Sequence, residues 1–144
     1  MIKKRNIAED TRLRDIGEWL KFDLSAGNAN EFALAEQNPY SRDLIITRVI
    51  VRLTTAGGTA TSVGDLDVVA SATATGDDIF DGIDLNSTGV FDSLNSTDNG
   101  TNGEGKVWIW NAKGGTNDYL TLKILTANAA SLAGEVYVHV IEAQ

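Results

Sequence analysis

Cysteine is absent from this 144-residue chain, so neither a disulfide nor a zinc-thiolate site holds it together, and redox chemistry does not report its compartment. Histidine occurs once, at His139, which rules out a His-based metal cluster and leaves a Ser-His-Asp triad a single residue on which to be built. Proline occurs once, at Pro39, where Asn38-Pro39 reads as a turn. Long apolar runs are missing too. No stretch nears the ~20 residues that a membrane helix requires, and no apolar run of about 7 to 15 residues follows Lys3, Lys4 and Arg5, as it would in a secretory signal. The expectation is a soluble chain made in the cytoplasm.

Recognised catalytic patterns are missing as well. There is no G-x-S-x-G elbow around any serine. Gly103-Glu104-Gly105-Lys106 ends in a lysine followed by Val107, not by the Ser or Thr of a phosphate-binding loop, and reads as a turn. Asn86-Ser87-Thr88, Asn95-Ser96-Thr97 and Asn99-Gly100-Thr101 match the glycosylation acceptor pattern, yet without a secretory signal they are read as products of an Asn/Ser/Thr-rich loop. Asp77, Asp78, Asp81 and Asp84 gather hard oxygen ligands that suit calcium, but the spacing is not that of an EF-hand. The plainer reading is a solvated acidic loop, and no metal or cofactor is expected. A glycan-processing enzyme built on these acids is disfavoured, because they sit in a loop with no evident cleft. The chain is expected not to be an enzyme.

Charge is present but lopsided. The net charge is -8; residues 1–52 carry nine Lys/Arg against eight Asp/Glu, and residues 53–144 carry three against twelve. The bulk of the chain should repel nucleic acid. Basic character is confined to the first fourteen residues, where Lys3, Lys4, Arg5, Arg12 and Arg14 face only Glu9 and Asp10. Residues 1–17 lack sustained periodicity and are read as an N-terminal arm, either a solvated tail or a segment that lies on an acidic neighbour. Residues 18–144 form one domain, long enough to bury a core without staples.

What the domain does have is period-two patterning. Leu20, Phe22 and Leu24 alternate with Lys21 and Asp23 as a first strand, and Phe32 and Leu34 suggest a short second one. Residues 44–53 are dominated by β-branched side chains and are long enough to cross a whole sheet, with Arg48 and Arg52 opposite Thr47, Val49, Val51 and Leu53. Residues 66–70 predict another strand, and the irregular, acidic stretch 76–105 has room for one or two more. Runs 106–111, 119–125 and 134–142, separated by short Gly/Asn/Ser-rich breaks, predict a closing β-meander. In it Val136, Val138 and Val140 share a core with Leu120, Leu122 and Ile124. Trp108 and Trp110 lie two apart and so share one face of a strand; inward they are core, outward an aromatic pair for a subunit contact or a sugar. About seven or eight short strands without a helical pattern predict an all-β antiparallel sandwich. Jelly-roll and immunoglobulin-like topologies both fit, with the jelly roll preferred because the Cys, Trp, Cys spacing is absent.

Leu66-Asp67-Val68-Val69-Ala70, the run Ile79-Phe80-Asp81-Gly82-Ile83-Asp84-Leu85 followed by Gly89-Val90-Phe91-Asp92, then Asn102-Gly103, and the strand Gly134-Glu135-Val136-Tyr137-Val138 carry a resemblance. Over roughly residues 40–142 the chain resembles small β-sandwich virion proteins of tailed bacteriophages, of the capsid decoration or cement type. The resemblance implies an architectural, non-enzymatic protein. It would be made in the host cytoplasm, bound to the major capsid protein on the capsid surface, and often trimeric, with no membrane or nucleic-acid partner. The arm residues Lys3, Lys4, Arg5, Arg12 and Arg14, together with Trp108 and Trp110, are the expected partner contacts. The alternative is a receptor-binding or fibre-type domain that recognises host surface glycans through the two tryptophans.

Overall fold

The computed structural model describes residues 16–95 and 106–143. Nine strands run through them: β1 (Glu18–Asp23), β2 (Phe32–Gln37), β3 (Leu44–Thr55), β4 (Val63–Val69), β5 (Phe80–Asp84), β6 (Gly89–Asp92), β7 (Trp108–Trp110), β8 (Tyr119–Leu125) and β9 (Ala133–Glu142). No helix occurs among the described residues, and so none there is long and apolar enough to cross a membrane.

The strands form two antiparallel sheets, one in the order β1-β9-β3-β6 with β7 also pairing β3, the other in the order β2-β8-β4-β5. With β7 set aside, the remaining eight pair from the outside in: β1 with β9, β2 with β8, β3 with β6, β4 with β5. A long antiparallel ribbon rolled over on itself gives that order, and it is the jelly roll. The strand count exceeds the expected seven or eight because the acidic stretch 76–105 holds both β5 and β6.

The closing meander is corrected. Although β7, β8 and β9 follow one another along the chain, β8 pairs β2 and β4, whereas β7 and β9 both pair β3 in the opposite sheet. The two breaks therefore cross from sheet to sheet. Ala129 and Leu132, in the second break, are buried in the core, and Ala129 bridges to Gly27. Burying these two apolar side chains anchors a short loop to the end of the sandwich where a hairpin would leave them in water.

The core lies between the sheets. Val136, Val138 and Val140 on one side and Leu120, Leu122 and Ile124 on the other are all fully buried, with Leu66, Ile79, Phe80, Leu85 and Trp110 filling the space between. Each such large side chain contributes about 1.5–3 kcal/mol relative to leaving it in water.

β3 departs from strict alternation. Leu44 and Ile46 point inward, and so do Val49, Val51 and Leu53, because the pairing with β9 shifts register between Ile46 and Arg48. The extra residue is a β-bulge that places Thr47 and Arg48 together on the outer face opposite His139. Thr47 thus sits on the face away from Val49, where uniform alternation had put it on the same one. At this point the edge of the sheet is also split: β7 pairs residues 44–46 of β3 and β6 pairs 50–53. Ser93 closes the gap, donating its N–H to Val49 O at 2.9 Å and accepting the Val49 N–H on Oγ at 2.8 Å.

Candidate interface on the outer face of the first sheet

With Val136, Val138, Val140 and the inward residues of β3 committed to the core, pleating sends the intervening side chains outward. Register then arranges them in four rows. Ile141, Ile45 and Ile109 stand abreast in the first, and Trp19, His139 and Arg48 in the second. The third holds Lys21, Tyr137, Ile50 and Asp92; the fourth holds Asp23, Glu135, Arg52 and Val90. Trp19 and Ile109 are each 48% exposed and Val90 is 61% exposed, and Ile16 and Val107, just before β1 and β7 in the chain, are exposed as well.

Two features stiffen this face. Thr47 Oγ1 lies 2.6 Å from His139 Nδ1, and the His139 ring meets Trp19 edge-on with centroids 5.1 Å apart. Ion pairs run within the sheet: Arg48 to Asp92 at 2.5 Å, Arg42 to Glu142 at 3.2 Å, and the looser Lys21–Asp23 and Arg52–Glu135 pairs, both at 3.9 Å. The fork of Arg48 on Asp92 raises the guanidinium pKa and lowers that of the carboxyl, the Arg48 hydrogen bond being the main cause in the latter. On the four rows Lys21, Arg48 and Arg52 are matched by Asp23, Asp92 and Glu135, so the face presents no net charge.

The outer side of the second sheet is different. Asp65 and Asp67 project from β4, Asp77 and Asp78 lie near them in the loop before β5, Asp81 and Asp84 stand in β5 itself and not in the expected loop, and Lys123 stands opposite Asp65 in register. Asp65 Oδ1 accepts the Gly82 N–H at 2.8 Å, and Asp67 Oδ1 accepts the Val68 N–H at 2.7 Å. Partial burial nevertheless raises the Asp65 pKa and pushes that of Asp67 up to about 6, with Asp77 acting in the same direction on both. Among the described residues no three His, Cys, Asp or Glu side chains converge as a metal site would need.

The sequence-derived partner residues are thus separated. Trp110 is 0% exposed, its ring meets Phe22 edge-on, and its Nε1 donates to the Asp118 carbonyl at 2.9 Å; it has no face left for a sugar or a partner, and the inward reading holds. Trp108, on the same side of β7, is half-buried against the core. Lys3, Lys4, Arg5, Arg12 and Arg14 lie outside the described residues, as do Gly103, Glu104 and Gly105. The outer rows were missed, though a signal existed. β3, β7 and β9 carry large apolar residues on both parities (Ile45, Ile50, Ile109, Tyr137, Ile141), which in an antiparallel sandwich with one solvated face marks a second surface to cover.

Comparison with known proteins adds the fold. No protein-family model matches the chain, and no curated protein matches it. Among solved structures, a chain of the one titled "Capsid of Ralstonia phage GP4" aligns over 91% of this chain and 87% of its own, with a TM-score of 0.55 and 11% sequence identity. At that identity the likeness is one of architecture: the two chains share an overall fold.

Proposed function

We propose that this chain is a non-enzymatic structural protein of a tailed-phage virion that decorates and cements the capsid. The observation that carries the reading is the coincidence of two independent likenesses. Strand and turn patterns over residues 40–142 resemble phage virion sandwich proteins, and the jelly roll matches a phage capsid chain along nearly its whole length. In this reading the partner is the shell of the major capsid protein, the location is the capsid surface, and the protein works as a trimer. The basic arm, through Lys3, Lys4, Arg5, Arg12 and Arg14, contributes charge and area to shell binding, and Trp108 is available only at its half-exposed edge. The acidic second sheet disfavours nucleic acid as a partner. The receptor-binding alternative loses the aromatic pair it relied on, because Trp110 is buried.

Co-sedimentation tests the proposal. Purified protein is mixed with empty heads of the phage that encodes it, and separately with host cells. Saturable pelleting with heads is the expected result; pelleting with cells alone would replace the capsid role by receptor binding.

A further inference from the structure

We infer that the outer face of the first sheet is where copies of this chain meet one another. The inference deepens the trimer in the reading above by naming its surface, and it requires no capsid.

Three observations point to a second copy as the occupant. First, the face is apolar and aromatic where an interface core would be: the Ile141, Ile45, Ile109 row and the Trp19, His139 pair lie side by side, with Tyr137 and Ile50 next to them. Aromatic residues and Arg are enriched at such cores, and Lys, Asp and Glu are depleted. Second, each charge on the face has an opposite charge beside it in the sheet, Arg48 closely on Asp92 and Lys21 and Arg52 loosely on Asp23 and Glu135, so contact with a neighbouring copy through this face brings no net charge into the interface. Third, the rest of the molecule discourages self-contact. The chain carries a net charge of -8, and apposing two second sheets would bring Asp65, Asp67, Asp77, Asp78, Asp81 and Asp84 against their own copies with Lys123 as the local cation. A face with an apolar, aromatic part and no net charge, on an acidic body, is the surface on which identical copies can approach. A strongly charged partner would gain nothing from it.

The same charge distribution gives the contact a salt signature. Ion pairs internal to each copy contribute little across the interface, whereas the net repulsion between copies is screened by salt. Association through this face therefore tightens or holds steady as salt rises. Docking of a basic arm on an acidic neighbour would weaken.

Sedimentation equilibrium of the purified full-length protein, without shells, reads the outcome. The parent is expected to be oligomeric at low and high salt. Ile109→Glu and Trp19→Glu, both at half-exposed positions, should each weaken association by at least about 30-fold, the loss of one interface anchor. Ala35→Glu, on the exposed side of β2 in the second sheet, should leave it unchanged. Thermal melts of all three confirm that the sandwich is intact; if both first-sheet variants unfold, Ile109→Ser and Trp19→Ser take their place with the same expectation. A monomeric parent, an oligomer that dissociates as salt rises, or first-sheet variants as oligomeric as Ala35→Glu would each overturn the inference. Shell binding by a protein that stays monomeric would sink it while leaving the capsid role standing.

Discussion

Trp110 Nε1 donates to the carbonyl oxygen of Asp118 at 2.9 Å, and the same oxygen accepts the backbone N–H of Asn38 at 2.7 Å. Asn38, itself fully buried, turns its Nδ2 toward the carbonyls of Arg42, Trp110 and Asn111 and accepts the Tyr40 N–H on Oδ1. One asparagine and one indole thereby tie the end of β2, the entry to β3, β7 and the entry to β8. Asn38→Ala should cost about 2–4 kcal/mol, because it leaves buried carbonyls without donors. Trp110→Ala should cost about 3–5 kcal/mol through the cavity it opens, and Trp110→Phe clearly less. Denaturant melts check all three. A parent-like midpoint for Asn38→Ala would show that the carbonyls find other donors.

Asp67 gives the second sheet a pH response of unusual sign. Its folded pKa, about 6, lies above the ordinary 3.8, mainly because burial disfavours the charge. The folded state thus holds the proton more tightly than the unfolded state, and this group adds stability as pH falls from about 7 toward 4. Asp67→Asn should stabilise the protein at neutral pH, with the advantage fading toward pH 4. The amide oxygen can still accept the Val68 N–H. Thermal melts from pH 4 to 8 would show the two curves converging at the acid end. Parallel curves would remove burial as the cause. Asp92 and Asp118 act in the opposite sense: their pKa values are lowered, by Arg48 and by Gln37 with the Gly114 N–H, so the stability they contribute is lost below the ordinary carboxylate range.

Thr126, in the turn after β8, has φ of 69°. A β-branched residue in the left-handed region is strained by roughly 1–2 kcal/mol. The residue is exposed, so Thr126→Gly or Thr126→Asn should stabilise by about 0.5–1 kcal/mol, the glycine gaining less than the full strain because it also loosens the unfolded chain. A fall in melting temperature for both would place the strain elsewhere.

Much of the fold was legible because strand faces follow local rules. The inward set Val136, Val138 and Val140 and the long span of β3 come from period-two patterning against a single core, whereas the spacing of Trp108 and Trp110 set a shared face and left its direction open until the burial of Trp110 decided it. Partner choice was not legible. Whether β8 pairs β9 or β2 depends on contacts far apart in the chain, and the short break between β8 and β9 would suit a hairpin as well as a crossover. The bulge at Thr47 escaped for another reason: one added residue leaves the composition of β3 unchanged and shows only in the pairing with β9. The candidate interface escaped because apolar residues on both parities were read as strand propensity, when Ile45, Ile109 and Ile141 are set abreast only by the register of three strands.

The proposed capsid role meets its most direct test in electron cryomicroscopy of phage heads assembled with and without this protein. The expected difference is sandwich-sized density standing on the outer surface of the shell, grouped in threes, with the N-terminal end of β1 toward the coat protein. Identical head surfaces, with the missing density instead at the tip of a tail fibre, would contradict it.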